Sequence, residues 1–175
     1  DRIKWAIKSQ VLKNLKSNTD KWLVQSSHVK NEIVDKFRLK KEFVDCFPMF
    51  TCNSKKRPEK KIKNKFVYIS YPYHYKNHLK LIDAFAIAYK EYGQGELHLT
   101  ISKDYKTIIK KINFYQNKGI PIHNHGLISQ KEVCKLYSRS EFLIFPSLME
   151  SFGLPIVEAI EFGCKIIVSN LPYSN

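Results

Sequence analysis

The sequence predicts an α/β protein whose larger part is a parallel sheet with helices on both faces. Three observations lead there. Between residues 66 and 175, five short apolar segments alternate with four segments of helical periodicity. Glycines (Gly93, Gly119, Gly163) follow three of those helical segments, where a left-handed residue ends a helix. A charged run with almost no apolar content, SKKRPEKKIKNK at 54–65, separates this rhythm from the chain before it. Strands and helices in strict alternation imply right-handed crossovers and hence parallel pairing.

Before the charged run, Ile3, Ile7, Val11 and Leu15 recur at helical spacing and predict a surface helix. Residues 22–25 read as a short strand. Val29, Ile33, Val34 and Phe37 predict a second helix, and 43–50 a strand running into Pro48. This is an α/β pattern too short to make a domain. After the run, 65–70 (KFVYIS) is a candidate buried strand, and 77–92 is helical through Leu79, Ile82, Ala86 and Tyr89. A strand at 96–101 precedes a helix at 104–118 carrying Ile108, Ile109, Ile112 and Tyr115 on one face. Residues 119–123 form a weak strand. Ser129 and Glu132 spell a capping box that opens a helix through Tyr137. A strand at 141–145, a helix at 154–162 with Pro155 near its first position, and a strand at 165–169 complete the series. Sheets of this kind bind ligands beyond the carboxyl ends of their strands, where helix N-termini gather. The loops at 70–77, 101–104 and 145–155 are therefore the places to look for function.

Composition narrows the classes. The chain has 175 residues, 43% apolar and 26% charged, which suits one domain, or one domain with part of another, and excludes wholesale disorder. No apolar run approaches the roughly 20 residues of a membrane-spanning helix. The first ten residues, DRIKWAIKSQ, carry neither an initiator Met nor a signal-peptide apolar segment, so secretion is not expected and the visible sequence need not start where its gene starts. A cytoplasmic location is expected, possible membrane contact being peripheral and on the inner face of the plasma membrane. The net charge is +14, and residues 1–65 alone hold 18 basic and 7 acidic side chains. Lys supplies most of that charge, which suits a solvated face or an anionic membrane surface better than nucleic acid. Cys46, Cys52, Cys134 and Cys164 form no Cys-x-x-Cys pair and complete no zinc pattern with the histidines, so they read as reduced packing groups and no metal is expected.

The stretch at 145–158, FPSLMESFGLPIVE, carries the chemistry. Glu150 lies in the loop after a strand and Glu158 one turn into the next helix, with Gly153, Leu154 and Pro155 opening that helix. A glycine there lets a ligand approach backbone N–H groups, and those groups with the helix dipole suit a phosphate. A carboxylate one turn in can accept two hydrogen bonds from a ribose diol, and one in the preceding loop can reach a sugar hydroxyl. The spacing alone equally suits a helix with favourable acidic residues near its start.

The surrounding letters resolve the choice. FPSLMESFGLPIVEAIEFGCKIIVSNLPY resembles the signature of the retaining family-4 glycosyltransferases, or glycosyl transferases group 1, with Pro146, Ser147, Glu150, Phe152, Gly153, Leu154, Pro155, Glu158, Ala159, Gly163, Ser169 and Pro172 in register. Upstream, FVYISYPYHYKNHLKLIDAFAIAY resembles the family's first C-domain strand, phosphate loop and helix. The likeness covers nearly the whole chain. It implies the C-terminal, Rossmann-like half of a two-domain GT-B fold, truncated at both ends. Residues 1–53 would be the tail of an N-terminal acceptor-side domain, 54–65 a basic linker and 66–175 the nucleotide-sugar-binding domain, incomplete at its C-terminus.

The resemblance also implies roles. Glu158 would bind the donor ribose, Glu150 the transferred sugar, and the backbone at Gly153 and Leu154 the diphosphate. Lys76 would pair with the diphosphate and offset charge on the departing group, which makes Glu150 and Lys76 the catalytic candidates. Ser70 and Tyr71 stand where many members carry a second cationic phosphate partner. The implied partners are a nucleotide-sugar donor and a glycan or lipid-linked acceptor, in cell-envelope polysaccharide synthesis such as lipopolysaccharide O-antigen or capsule, with no nucleic acid. His74, His78, His123 and His125 read as solvated loop residues, and Tyr71, Tyr73 and Tyr75 as packing or sugar contacts. The alternatives are a GT-B relative, such as a sugar-nucleotide epimerase or glucan synthase, and a non-catalytic basic membrane-binding fragment.

Overall fold

The computed structural model describes residues 2–47 and 59–174. The chain divides into two compact units, 1–50 and 51–175. The first contains α1 (Arg2–Leu15), β1 (Trp22–Val24), α2 (Ser27–Phe37) and β2 (Val44–Cys46), with β1 and β2 paired in parallel. The Ser26 hydroxyl accepts from the Val29 N–H to cap α2, and Arg38 ends it in a left-handed conformation. Lys16 donates to the carbonyls of Phe37 and Arg38, placing a cation at the negative end of α2. The core is small, with Val24, Val34 and Val44 buried against Trp22, Val29, Ile33 and Leu39. In α1, Ile7, Val11 and Leu15 are exposed. Pro48, toward which the second strand was expected to run, lies outside the described residues.

The second unit is a five-stranded, all-parallel sheet: β3 (Ile62–Tyr68), β4 (Glu96–Leu99), β5 (Ile122–Asn124), β6 (Ser140–Phe145) and β7 (Lys165–Val168), in the order β5-β4-β3-β6-β7. Helices α3 (His78–Tyr92), α4 (Lys106–Gln116), α5 (Gln130–Arg139) and α6 (Leu154–Glu161) make the crossovers. The expected α/β, Rossmann-like architecture is present. The strand order grows one way from β3 to β5 and the other way through β6 and β7. The carboxyl ends of β3 and β6 therefore flank the point where it reverses.

Both faces are packed. Val67, Tyr68, Leu97, Leu99, Leu143 and Phe145 are buried in the sheet beneath Ile82 and Phe85 of α3, Ile112 of α4, Tyr137 of α5 and Ala159 of α6. The α5 capping box is complete: the Glu132 N–H donates to Ser129 Oγ, and the Ser129 N–H donates to Glu132 Oε2 at 2.8 Å.

Three expectations need correction. The core face of α3 is Leu81, Ile82, Phe85 and Ala86, while Leu79 is exposed, because the helix turns toward β3 and β4. Strands β4 and β5 are shorter than expected, and β5 begins at Ile122 rather than 119, after Gly119 has closed α4 at φ 76°.

The third concerns the charged run. Its residues 54–58 lie outside the described residues, but from Ile62 it is already strand β3. Its lysines have interior partners. Lys61 donates to the carbonyls of Tyr137 (2.9 Å) and Phe162 (2.7 Å) near the ends of α5 and α6, and Lys65 is buried beside Glu96. Asn64, at φ 56°, breaks the β3–β6 register between Ile62 and Phe66, a bulge that interrupts the alternation by which strands are read.

Candidate functional site at the carboxyl edge of the sheet

Two loops meet beyond the ends of β3 and β6. The first, ISYPYHYKN at 69–77, winds through a short 3-10 turn at His74–Lys76 and enters α3 through Asn77 at φ 61°. The second, at 146–153, enters α6 through Gly153 at φ 76°. A side chain at Gly153 would be strained by that φ, and its Cβ would lie 3.0 Å from Ile156 Cδ1.

The loops hold each other. The Leu148 N–H donates to the Tyr75 carbonyl at 2.8 Å, and the buried Ser147 hydroxyl donates to Tyr75 and Met149 carbonyls. The Tyr173 hydroxyl donates to the Ser147 carbonyl at 2.7 Å. The Tyr68 hydroxyl donates to the Lys76 carbonyl at 2.9 Å. These bonds supply partners to backbone that strands and helices have released.

The Lys76 ammonium bonds directly to Glu150, and both side chains are 12% exposed. It also lies over the Phe145 and Tyr75 rings, 5.4 and 5.5 Å from their centroids. Two residues 74 positions apart in sequence, both singled out there, are thus one unit. Leu154 begins α6 beside Gly153 and the apolar Ile156. Glu158, one turn in, accepts a hydrogen bond from the Tyr137 hydroxyl of α5 at 3.3 Å. Tyr137 is fully buried, and burial first, then the Glu158 charge, holds its phenol proton well beyond the ordinary range. It is therefore a permanent donor that fixes the carboxylate.

Sequence reasoning missed several parts of this assembly. The sequence does not single out Tyr68, Tyr137 or Tyr173, yet each spends its hydroxyl on a loop or on a site carboxylate. His78 is not solvated: it is 2% exposed, its ring stacks on Tyr68 at 4.6 Å, and neither ring nitrogen has a hydrogen-bond partner among the described residues. Burial, then the nearby Lys76 charge, lowers its pKa to about 4, so it is neutral near pH 7. Tyr71, Tyr73 and Tyr75 stack in series, at 4.9 and 5.5 Å, with Tyr71 and Tyr73 half exposed. Their alternation in the loop singles them out in the sequence as packing or sugar contacts, and the stacking shows that they pack on one another.

A cavity of about 710 Å³ runs from Asn77 and Pro146 along α3, past Leu81, Phe85 and Tyr89. Its walls are mostly apolar. The convergent polar groups lie at the loop edge above it, and a charged ligand needs those groups.

Comparison with known proteins gives the family and the fold. A family model described as glycosyl transferases group 1 matches residues 50–175. A curated relative, "Putative glycosyltransferase ORF300" of Acidianus filamentous virus 1, is 27% identical over 170 residues, covering 93% of this chain and 50% of its own length. Among solved structures, Staphylococcus aureus TarM superposes with a TM-score of 0.80 at 14% identity, over 94% of this chain and 32% of TarM. The pneumococcal O-GlcNAc transferase GtfA, solved with UDP and GlcNAc, superposes at 0.74 with 21% identity, over 88% and 31%. Anabaena HepE, solved with UDP and glucose, superposes at 0.75 with 15% identity, over 95% and 49%. The chain spans about half the length of the curated relative and a third to a half of these structures. At such identities the superpositions speak to fold.

Proposed function

The chain belongs to the glycosyl transferases group 1 family, and from that premise we propose that it holds a nucleotide-sugar donor for transfer of a hexose, with retention, to a glycan or lipid-linked acceptor. The observation that carries this reading is the meeting of Lys76 and Glu150 at the reversal point of the sheet, between the N-termini of α3 and α6. Those termini and Lys76 supply positive charge to a diphosphate without a metal ion. Glu158, held by Tyr137, accepts from the ribose hydroxyls. The backbone at Gly153 and Leu154 comes close to the phosphates because Gly153 has no side chain.

In the proposed reaction the bond between the anomeric carbon and the diphosphate oxygen breaks. The acceptor hydroxyl oxygen takes the sugar and gives up its proton, and the nucleoside diphosphate leaves with the electron pair. Lys76 exchanges Glu150 for the diphosphate and offsets the charge that develops there. Glu150, released from Lys76, accepts from a hydroxyl of the transferred sugar. Tyr73 offers an exposed aromatic face for a sugar ring. HepE and GtfA, solved with UDP and a sugar, support the donor class. The lipopolysaccharide outer core galactosyltransferase WaaB, a further structural neighbour, suits a cell-envelope acceptor. Among the described residues no helix is long and apolar enough to cross a membrane. Peripheral attraction of the lysine-rich segment 1–65 to the inner face of an anionic plasma membrane suits a lipid-linked acceptor.

Binding of a nucleoside diphosphate and its sugar conjugate, followed by thermal stabilisation, tests the reading. Glu158→Gln should weaken both by about 1–3 kcal/mol. Lys76→Ala should weaken the diphosphate and spare the bare nucleoside, and Glu150→Gln should matter only when the sugar is attached. Unchanged nucleotide-sugar binding after loss of both glutamates, in folded protein, would overturn it.

A further inference from the structure

A second polar cluster lies on the outer strands, away from the donor loops. Glu96 opens β4, at the opposite edge of the parallel sheet from those loops. His98 is two residues on, and the strand pleat places both side chains on one face. His123 of β5 is the register partner of His98, and Lys65 of β3 is the register partner of Glu96. One oxygen or nitrogen from each of Glu96, His98 and His123 lies within 4.8 Å of the other two. His98 Nε2 is 3.1 Å from Glu96 Oε1, and His123 Nε2 is 3.7 Å from Glu96 Oε2. Two ligands on a tetrahedral zinc ion at its usual bond lengths stand about 3.3 Å apart, so both histidine contacts to Glu96 are near that spacing and the two imidazoles must draw together around the ion.

Two further observations point to an ion rather than a network of hydrogen bonds. His98 is 6% exposed, and its Nε2 has no hydrogen-bond partner among the described residues. The nearby carboxylate is within reach but out of line for a hydrogen bond. A buried, unpaired nitrogen is costly unless something fills the gap. The other ring nitrogen, Nδ1, lies 2.8 Å from His125 Nε2. When Nδ1 donates that proton, Nε2 carries a lone pair aimed at the cluster, the arrangement by which metal-binding histidines are oriented. Glu96 is also held from behind, since the Lys65 ammonium is 3.3 Å from its Oε1. Oε1 thus faces both His98 and Lys65, while Oε2 faces His123. The Lys65 charge opposes a second cation and sets the expected affinity in the micromolar range.

We propose that Glu96, His98 and His123 bind one divalent transition-metal ion of the zinc class, with His125 orienting His98, as a clasp between β4 and β5. Two imidazoles and a carboxylate suit zinc better than magnesium or calcium, which prefer all-oxygen shells. His123, 48% exposed on its side chain, leaves a path for the ion and a coordination position facing solvent. The linear sequence gives no zinc pattern because the ligands come from two strands, brought together by parallel pairing.

Zn²⁺ titration of the 175-residue chain, by calorimetry in a non-chelating buffer, tests the clasp, with Co²⁺ as a spectroscopic probe. One ion per chain should bind with micromolar affinity. His123→Gln and Glu96→Gln should each weaken binding at least about tenfold, and His125→Phe about tenfold through loss of orientation. His28→Gln should change nothing. Because His123 is half exposed, its variant keeps the fold, and circular dichroism confirms that. No saturable binding by about 100 µM Zn²⁺, undiminished binding in His123→Gln, or a Co²⁺ thiolate charge-transfer band assigning the ion to cysteines would overturn it.

Discussion

The two polar clusters of the sheet use the same side chains and treat them differently. At the carboxyl edge, Lys76 and Glu150 close on each other against the Tyr75 and Phe145 rings, and loops from two crossovers bond to each other and to the hydroxyls of Tyr68 and Tyr173. At the outer strands, Lys65, Glu96, His98 and His123 lie in register across three strands, and the cluster opens to solvent at His123. The pleat fixes the second group rigidly but cannot bend to satisfy His98. Loops can bend. That difference explains why the loops bring a cation and a carboxylate into contact, while on the strands the His98 Nε2 has no hydrogen-bond partner among the described residues.

The largest effect expected is from Lys76→Ala. It leaves Glu150 largely buried without its counter-charge and should cost about 3 kcal/mol in urea unfolding. Lys76→Ala with Glu150→Gln should recover part of that loss. Full additivity would show that the two are not one unit.

Acid should act on both regions next, since burial lowers the pKa of His98 to about 4 as well. His78 has a folded pKa near 4 against 6.5 for the free side chain. The unfolded chain therefore binds more protons, and stability rises with pH through this window. The contribution is fully present above about pH 6.5 and is lost as pH falls toward 4, a change of roughly 3 kcal/mol. His78→Phe should flatten the slope between pH 6.5 and 4, and an unchanged slope would show that His78 is not the group that titrates.

Tyr137→Phe should come third, costing about 1–1.5 kcal/mol by removing the donor to Glu158. It should also weaken nucleotide binding more than Tyr173→Phe does, since Tyr173 bonds only loop backbone. Smallest is Glu96→Gln, about 1 kcal/mol in metal-free buffer, because the amide oxygen of Gln still accepts from the buried Lys65 ammonium and the Glu96 side chain is itself 31% exposed. A loss larger than that of Lys76→Ala would reverse the ranking of the two clusters.

Much of the fold could be read from the chain because its signals are local. Apolar runs, glycines at helix ends and the Ser129–Glu132 box each act within a few residues, and the structure realises them at nearly the expected places. The misreadings share a cause. Lys61 and Lys65 looked like linker because charge normally seeks water, yet helix-end carbonyls and Glu96 take them inside. His78 looked solvated because it follows a polar loop, yet the start of α3 turns it onto Tyr68.

The sequence by itself determined the alternation of strands and helices, the Gly153–Pro155 helix opening, and the identity of Lys76, Glu150 and Glu158 as the groups to watch. Periodicity and backbone chemistry act over one turn or one pleat, so they are written in adjacent letters. Only the tertiary structure decided that Lys76 would pair with Glu150, that Tyr137 would hold Glu158, and that Glu96, His98 and His123 would share one face. Those contacts join residues 21 to 74 positions apart, or neighbours on adjacent strands. They exist because the strand order reverses at β3 and β6 and parallel pairing sets β4 beside β5 in register, a choice made by the burial of the whole sheet rather than by any segment of it.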